Sequence, residues 1–224
     1  MSNSRTFGCL KTNISIDGLK SRTRLFLEVY HLVEVKRSPY FKRITGFFLL
    51  MPYAPRLFSL YDTTKMALLG WKPMHWPFSG SIFAACTFNF GRVMTCSHLD
   101  FGNLAWGWCS ITALGLFDPD RGGHLILWDL RLVIRFPPGS TIFIPSAVVR
   151  HSNTAIQPHE SRNSFTQYTA GGLFRWVDNG FMTDNNFLRT ASPERKAQRA
   201  AAMQSRWEFG LSHFLTLEEL GMQL

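Results

Sequence analysis

Residues 96–103, CSHLDFGN, place an imidazole and a carboxylate two positions apart, directly after an apolar run. Side chains at positions i and i+2 of an extended strand project from the same face, so His98 and Asp100 are expected to point into one space. Such a pair is either an ordinary polar contact at a strand end or two of the three ligands of a metal site. The spacing alone leaves both interpretations open.

A third candidate ligand lies within residues 137–153, PPGSTIFIPSAVVRHSN, which combine a turn, a buried strand and a bend at Pro145 before His151. In a double-stranded β-helix, strands that are distant in sequence meet at one mouth, which would bring His151 to His98 and Asp100. Two histidines and one carboxylate leave positions open on an octahedral iron for a bidentate cosubstrate and dioxygen. Zinc more often takes a closed tetrahedral set, and no fourth ligand is evident in the sequence.

A bidentate cosubstrate would need its own binding residues in the sequence. An α-keto acid that chelates iron leaves a distal carboxylate, for which a guanidinium is the natural bidentate partner. Arg162 lies eleven positions after His151, one predicted strand onward, and Ser164 shares its strand face. Arg92 lies six positions before His98, so regular alternation would also point it inward, although one β-bulge would cancel that argument. A surface salt bridge is the alternative role for Arg162.

A β-rich core between about residues 79 and 181 must position these side chains. Short strands separated by Gly, Pro and Asp turn signals are indicated by SIFAACTFNFGRVMTC, WCSITALGLF, HLILWDL, RLVIRF, TIFIP, VVRHSN and SFTQYTA. This pattern is typical of an all-β barrel or jelly roll. With an N-terminal helical region over about 1–78 and C-terminal helices over 182–224, the predicted fold class is α+β. We expect a single domain with a double-stranded β-helix core, cupin-like and flanked by helices.

The flanking helices have their own sequence signals. Apolar residues at helical spacing predict one helix over about residues 19–35 and a second over about 55–69. Ser192 is predicted to cap a helix that runs to about Trp207, with Pro193 at its first position. The pattern T-x-x-E at Thr216 predicts a capping box for a last helix.

Composition and charge bound the class of protein. The 224 residues are 46% hydrophobic and 17% charged, as in folded rather than disordered chains. The net charge of +9 is concentrated in residues 1–70, which hold 11 Lys or Arg against 4 Asp or Glu. A basic balance favours polyanionic partners.

The cysteines and the hydropathy of the sequence indicate in which cellular compartment the protein is expected. The four cysteines show no C-x-x-C pairing, so reduced intracellular thiols are expected rather than a zinc knuckle or a disulfide framework. The N-terminal residues lack the apolar run of a signal peptide, and no apolar stretch approaches the roughly 20 residues that span a bilayer. We therefore expect a soluble intracellular protein with no membrane partner.

Four segments, HLDFGN, GWCSITALGLFDPDRGGHLILWDL, FPPGSTIFIPSAVVRHSN and SRNSFTQYTAGGLFRW, together resemble the fungal branch of the TET/JBP family. Members of that family are iron(II)- and 2-oxoglutarate-dependent dioxygenases that oxidise modified bases in nucleic acid. The resemblance implies Fe(II) ligands at His98, Asp100 and His151, and 2-oxoglutarate at Arg162. It also implies a DNA partner whose target base is flipped out of the duplex. The short interval from Asp100 to His151 and the few cysteines depart from the animal members, which carry a large insert and a cysteine-rich zinc region.

Three further residues are candidates to hold the flipped base. Asn103 could hydrogen-bond a base edge, Tyr168 could stack on the ring, and Asp178 could accept from an exocyclic amine. Turn capping, core packing and an Asp-Asn-Gly turn are their respective structural alternatives. Tyr168, six positions after Arg162, also stands where AlkB-like repair dioxygenases carry a second arginine, which argues against that class.

The sequence thus predicts a monomeric nuclear dioxygenase that acts on the methyl group of a base in DNA. Family habit favours 5-methylcytosine, and demethylation of N6-methyladenine stays open. A non-catalytic nucleic-acid-binding or mobile-element accessory module, or a protein or small-molecule hydroxylase on the same fold, are the alternatives.

Overall fold

A computed structural model describes residues 53–220, apart from positions 75, 79 and 217. The helix predicted over residues 19–35 lies outside the described residues. The second predicted helix is present as α1 (Pro55–Trp71), which has a proline in its first turn, where the missing N–H costs no helical hydrogen bond. None of the helices in the described part of the chain has the length and apolar content needed to cross a bilayer.

Seven strands lie within the described residues, one in each segment for which a strand was predicted. They are β1 (Ala85–Asn89), β2 (Cys109–Leu116), β3 (Leu125–Leu127), β4 (Leu132–Ile134), β5 (Thr141–Ile144), β6 (His151–Asn153) and β7 (Ser161–Tyr168). They form a four-stranded sheet in the order β1-β7-β2-β5 and a three-stranded sheet in the order β4-β3-β6, with antiparallel pairing throughout. The fold is therefore mixed α+β with two antiparallel sheets, which is consistent with the predicted jelly roll.

The two sheets share one hydrophobic core. Its buried members are Cys109, Ile111, Ala113, Phe117, Leu125, Leu127, Phe136, Ile144 and Ile156. Strand β2 supplies alternate residues to this core, as the two-residue period of a strand requires. In the register of β2 with β7, Ala113 lies opposite Ser164 and Gly115 opposite Arg162. The even-numbered residues of β7 therefore face the space between the sheets.

A second core covers the other face of the four-stranded sheet. It contains Leu57 and Tyr61 of α1 together with Phe83 and with Phe174 of α2 (Gly171–Asp178). The Tyr61 ring meets Phe83 and Phe174 edge-on, with ring centroids 5.6 Å and 5.0 Å apart. Its buried hydroxyl donates to the carbonyl of Trp108 at 3.1 Å. Helices α1 and α2 thus close the sheet from outside and leave the inner face for the core and the candidate site.

The C-terminal helices differ in part from the prediction. Besides α2, they are α3 (Asp184–Thr190), α4 (Pro193–Gln204) and α5 (Arg206–Leu211). Ser192 caps α4 as expected, since its hydroxyl accepts from the Arg195 N–H at 3.3 Å, but that helix ends at Gln204. Thr216 and Glu219 form the predicted reciprocal capping box, at 2.8 Å and 3.2 Å, although residues 218–220 form a turn and not a helix.

Helices α2 and α3 were not predicted. Helix α2 begins with two glycines, which are poor helix formers. The packing of Phe174 against Tyr61 stabilises this helix instead. Propensity is a weak signal where tertiary packing supplies the stabilisation. The division into regions 1–78, 79–181 and 182–224 stays a prediction.

Candidate metal centre

The structure brings His98, Asp100 and His151 together, with ligand atoms that all lie within 4.8 Å of one another. His98 Nε2 is 3.6 Å from Asp100 Oδ1, and His151 Nε2 is 3.8 Å from Asp100 Oδ2. No fourth His, Cys, Asp or Glu joins this group in the part of the chain that the structure describes. The donor set is two imidazoles and one carboxylate, which suits iron(II) with positions left open.

Backbone pairing explains why residues so distant in sequence meet. His151 begins β6, and His98 forms an isolated antiparallel bridge with it. The His98 N–H donates to the His151 carbonyl at 3.1 Å, and the His151 N–H donates back at 3.0 Å. The Asp100 N–H donates to the Ser146 carbonyl at 2.9 Å, just beyond β5. The segment that contains His98 and Asp100 thus lies along β6, at the edge of the three-stranded sheet. This pairing brings both residues to the third candidate ligand, His151.

Both imidazoles are oriented by backbone carbonyls. His98 Nδ1 lies 2.9 Å from the Cys96 carbonyl oxygen, and His151 Nδ1 lies 2.9 Å from that of Val149. When Nδ1 donates its proton to a carbonyl, Nε2 keeps a lone pair for a metal ion. Burial lowers the pKa of His151, which favours the neutral form that binds metals.

Solvent reaches this group from one side. The His151 side chain is only 6% exposed, whereas those of His98 and Asp100 are 33% and 31% exposed. A ligand would therefore approach along the His98–Asp100 side, with His151 at the back.

Arg162 is a buried cation for which the described part of the chain offers no anionic partner. It is 2% exposed in β7, and its guanidinium lies 6.0 Å from the Phe117 ring centroid. Its Nε has no hydrogen-bond partner, and no ion pair joins Arg162 to a carboxylate among the described residues. Burial lowers the pKa of Arg162 to about 10, so the group is still charged at neutral pH. A buried unpaired charge is costly, and a carboxylate ligand would relieve that cost.

The two other predicted cosubstrate residues differ in placement. Ser164 is buried on the same strand face as Arg162, and its hydroxyl accepts from Asn89 Nδ2 at 3.0 Å. Arg92 is exposed, so the predicted inward orientation is not observed. Strand β1 ends at Asn89, and Gly91 takes a φ of 102°, which breaks the alternation on which that expectation depended.

Asn103 and Tyr168 both have structural contacts near the site. The Asn103 N–H donates to the Asp100 carbonyl at 2.9 Å, and its amide Nδ2 donates to Ser146 Oγ at 3.0 Å, so Asn103 closes the turn after the carboxylate ligand. Tyr168 packs against the core between the sheets, with its hydroxyl 3.4 Å from Thr87 Oγ1. Contact of either residue with a base stays a prediction.

Asp178 lies in the outer helical layer. It is the last residue of α2, and burial raises its pKa while Arg206 and Arg199 act in the opposite direction. Its charged neighbours thus belong to α5 and α4. A role in reading a base is a prediction that this placement does not test.

Sequence reasoning missed the residues that surround Arg162. Phe117 forms the wall beside its guanidinium, and Gly115 leaves room opposite it in β2. A glycine inside a predicted strand often marks close approach of another backbone, and that signal was available at Gly115.

Comparison with solved structures gives a distant likeness to a TET enzyme. No protein-family model matches the sequence, and no curated protein matches it either. The solved structure of NgTET1 in complex with 5mC DNA matches with a TM-score of 0.42 and 14% sequence identity, over 68% of this chain and 69% of that chain. This similarity to a TET enzyme is too low to establish a common fold, so the residues themselves carry the case for the site.

Proposed function

We propose that this chain is an Fe(II)- and 2-oxoglutarate-dependent dioxygenase that oxidises the methyl group of a methylated base in DNA. The observation that carries the proposal is the presence of an open His98–Asp100–His151 group together with a buried guanidinium, Arg162, for which the described residues supply no anionic partner. The two imidazoles and the carboxylate suit iron(II), and the guanidinium suits the distal carboxylate of a dicarboxylic cosubstrate.

The proposal includes the architecture and the family. Counting the His98 bridge as an additional short strand, the three-stranded sheet becomes four-stranded, and two antiparallel four-stranded sheets with a shared core are what a double-stranded β-helix requires. Membership of the TET/JBP family, and of its fungal branch, rests on the four sequence segments between residues 79 and 181.

The chain's own residues would perform defined tasks. Iron(II) with 2-oxoglutarate and dioxygen supplies the oxidising power to break a methyl C–H bond. His98 and His151 present Nε2 toward it because backbone carbonyls hold Nδ1, and Asp100 offsets its positive charge. Arg162 receives the distal carboxylate of the cosubstrate, with Phe117 excluding water beside it.

Substrate identity belongs to the proposal. The target is a base flipped from duplex DNA, because enzymes that do chemistry on a base reach it only after it leaves the stack. We propose 5-methylcytosine first and N6-methyladenine second, with Asn103, Tyr168 and Asp178 as the residues that meet the base. We also propose that the enzyme is a monomer and that it acts in the nucleus, where a chromosomal substrate would lie.

The test is nucleoside mass spectrometry after incubation of the purified protein with iron(II), 2-oxoglutarate and duplexes that carry each methylated base. The proposal predicts loss of one methylated nucleoside together with formation of succinate. Succinate without nucleoside change would favour a protein or small-molecule hydroxylase. Binding to DNA without metal uptake or succinate would favour the non-catalytic module.

A further inference from the structure

One side chain beside the candidate metal centre has no role in the fold or in the chemistry proposed above. Phe101 directly follows Asp100, and 83% of its surface is exposed. An apolar ring in this position gains little from burial, and turns accept most residue types at their tips. Burial in the fold therefore does not account for this ring, which is free to contact a bound molecule.

The backbone on both sides of Phe101 is fixed. The Asp100 N–H donates to the Ser146 carbonyl, and the carbonyl of Gly102 accepts from Gly171 N–H at the start of α2, each at 2.9 Å. Adjacent Cα atoms are about 3.8 Å apart, so the backbone that carries Phe101 lies directly next to that of Asp100, whose side chain is 31% exposed. Phe101 is thus held by a hydrogen-bonded turn directly after a candidate ligand.

A cation flanks another ligand of the same group. Arg150 directly precedes His151 and is exposed, with its backbone N–H bonded to Asp129 Oδ2 at 2.6 Å. An exposed apolar ring adjacent in sequence to one ligand and an exposed guanidinium adjacent to another match the two chemical features of nucleic acid, stacked bases and phosphates.

We propose that Phe101 inserts into the base stack of a duplex substrate, in the space vacated by the base that enters the site; this rests on the proposed function. Extruding a base sacrifices stacking on both of its neighbours. An apolar side chain inserted between base steps recovers part of that loss and holds the duplex open. Phe101 therefore acts on duplexes and contributes nothing to the oxidation of an unpaired strand.

The experiment compares Phe101→Ala, Phe101→Tyr and Leu116→Ala with the unmodified chain. Leu116, at the end of β2, is also 83% exposed and is the matched control. One methylated oligonucleotide is tested as a single strand and as a duplex. In parallel, 2-aminopurine next to the target base reports unstacking by fluorescence, with no metal added.

We expect Phe101→Ala to lower kcat/KM on the duplex by about tenfold or more, to leave the single strand unchanged and to abolish the fluorescence rise. Phe101→Tyr restores both signals, and Leu116→Ala matches the unmodified chain. The inference is overturned if Phe101→Ala keeps its activity on the duplex and the fluorescence rise. It is also overturned if this variant loses activity equally on the duplex and on the single strand. In either case the proposed function stands. If the unmodified chain turns over 2-oxoglutarate but oxidises neither strand form, the proposed function fails and the role of Phe101 falls with it.

Discussion

A histidine serves as a metal ligand only when one ring nitrogen keeps its lone pair and faces the ion. In this chain the carbonyls of Cys96 and Val149 occupy Nδ1 of the two histidines, and both Nε2 atoms lie within 4 Å of the Asp100 carboxylate. The two carbonyls each stand two residues before the histidine that they orient. The same local backbone geometry therefore prepares both imidazoles before any metal binds.

Removing a ligand is expected to abolish turnover without unfolding the chain. For His98→Ala and Asp100→Ala, we predict a fall of about a hundredfold or more in succinate formation. Loss of a residue that only hydrogen-bonds a metal ligand already lowers metal affinity or activity by about ten- to a hundredfold. Manganese(II) binding, followed by electron paramagnetic resonance, should be lost in parallel. His159→Ala, an exposed histidine outside the group, is the control. Full activity of either ligand variant would refute the assignment.

Arg162 is predicted to set the affinity for 2-oxoglutarate. Hydrogen bonds to charged groups contribute about 1.5–3 kcal/mol each, so Arg162→Met should raise the apparent KM for 2-oxoglutarate by about a hundredfold. Because the buried charge has no ion-pair partner between residues 53 and 220 as described, its removal should leave the melting temperature unchanged or higher. Arg135→Met, which breaks an exposed pair with Asp120, should leave KM unchanged. An unaltered KM in Arg162→Met would exclude the role.

At the scale of elements, the site depends on strands that approach closely. Gly115 of β2 has a φ of 113° and lies opposite Arg162 of β7. A Cβ atom there would collide with the Ser161 carbonyl oxygen and lie 3.1 Å from the Arg162 Cα. The glycine thus sets the distance between the two strands at the point where β7 carries the buried guanidinium.

Gly115→Ala is expected to destabilise the protein and to weaken 2-oxoglutarate binding together. Left-handed backbone alone costs a non-glycine residue about 1–2 kcal/mol, and the collision adds to this. Gly139→Ala is the matched control, because Gly139 also has a positive φ, 84°, and an added Cβ atom would meet nothing within 4 Å. Urea unfolding should show a larger decrease in the free energy of unfolding for Gly115→Ala than for Gly139→Ala. Equal losses for the two variants would mean that strand spacing is not under this constraint.

The C-terminal helices are joined by one carboxylate. Asp184 at the start of α3 accepts from Asn179 Nδ2 at 2.9 Å and pairs with Arg199 of α4 at 2.7 Å and with Arg175 of α2 at 2.9 Å. These contacts, first among them the Asn179 hydrogen bond, hold the pKa of Asp184 below its usual value.

A carboxylate with a lowered pKa stabilises the folded state at neutral pH, and that contribution is lost as pH falls through its folded pKa. Asp184→Asn should therefore lower stability at pH 7, by at most about 1 kcal/mol because the group is at the surface. The difference from the unmodified chain should vanish in acid well below the ordinary pKa of 3.8. Thermal unfolding across pH measures it, and a difference that is constant with pH would contradict the assignment.

At the scale of the whole molecule, charge is unevenly distributed. Residues 1–52 hold nine Lys or Arg against three Asp or Glu, so most of the net charge of +9 precedes α1. The candidate site thus lies in the less basic part of the chain. Sequence-independent attraction to phosphate and recognition at the site are expected to come from different segments.

Duplex affinity should fall steeply with salt. Each phosphate neutralised by Lys or Arg contributes about −0.9 to the slope of log K against log salt. Fluorescence anisotropy with methylated and unmethylated duplexes should give the same slope, because phosphate contacts carry no sequence information. Affinity that does not change between about 50 and 200 mM salt would instead favour a substrate other than nucleic acid.

The sequence by itself determined the strands and the identity of the candidate ligands. Two-residue alternation and turn signals are local, so all seven strand segments could be predicted, as could the Ser192 cap and the Thr216 capping box. The spacing of His98 and Asp100 was sufficient to suggest a shared face. Only the tertiary structure decided how these parts meet. The pairing of His98 with His151, the exposure of Arg92 and the formation of α2 around Phe174 depend on contacts between distant segments, and a local pattern contains no information about them.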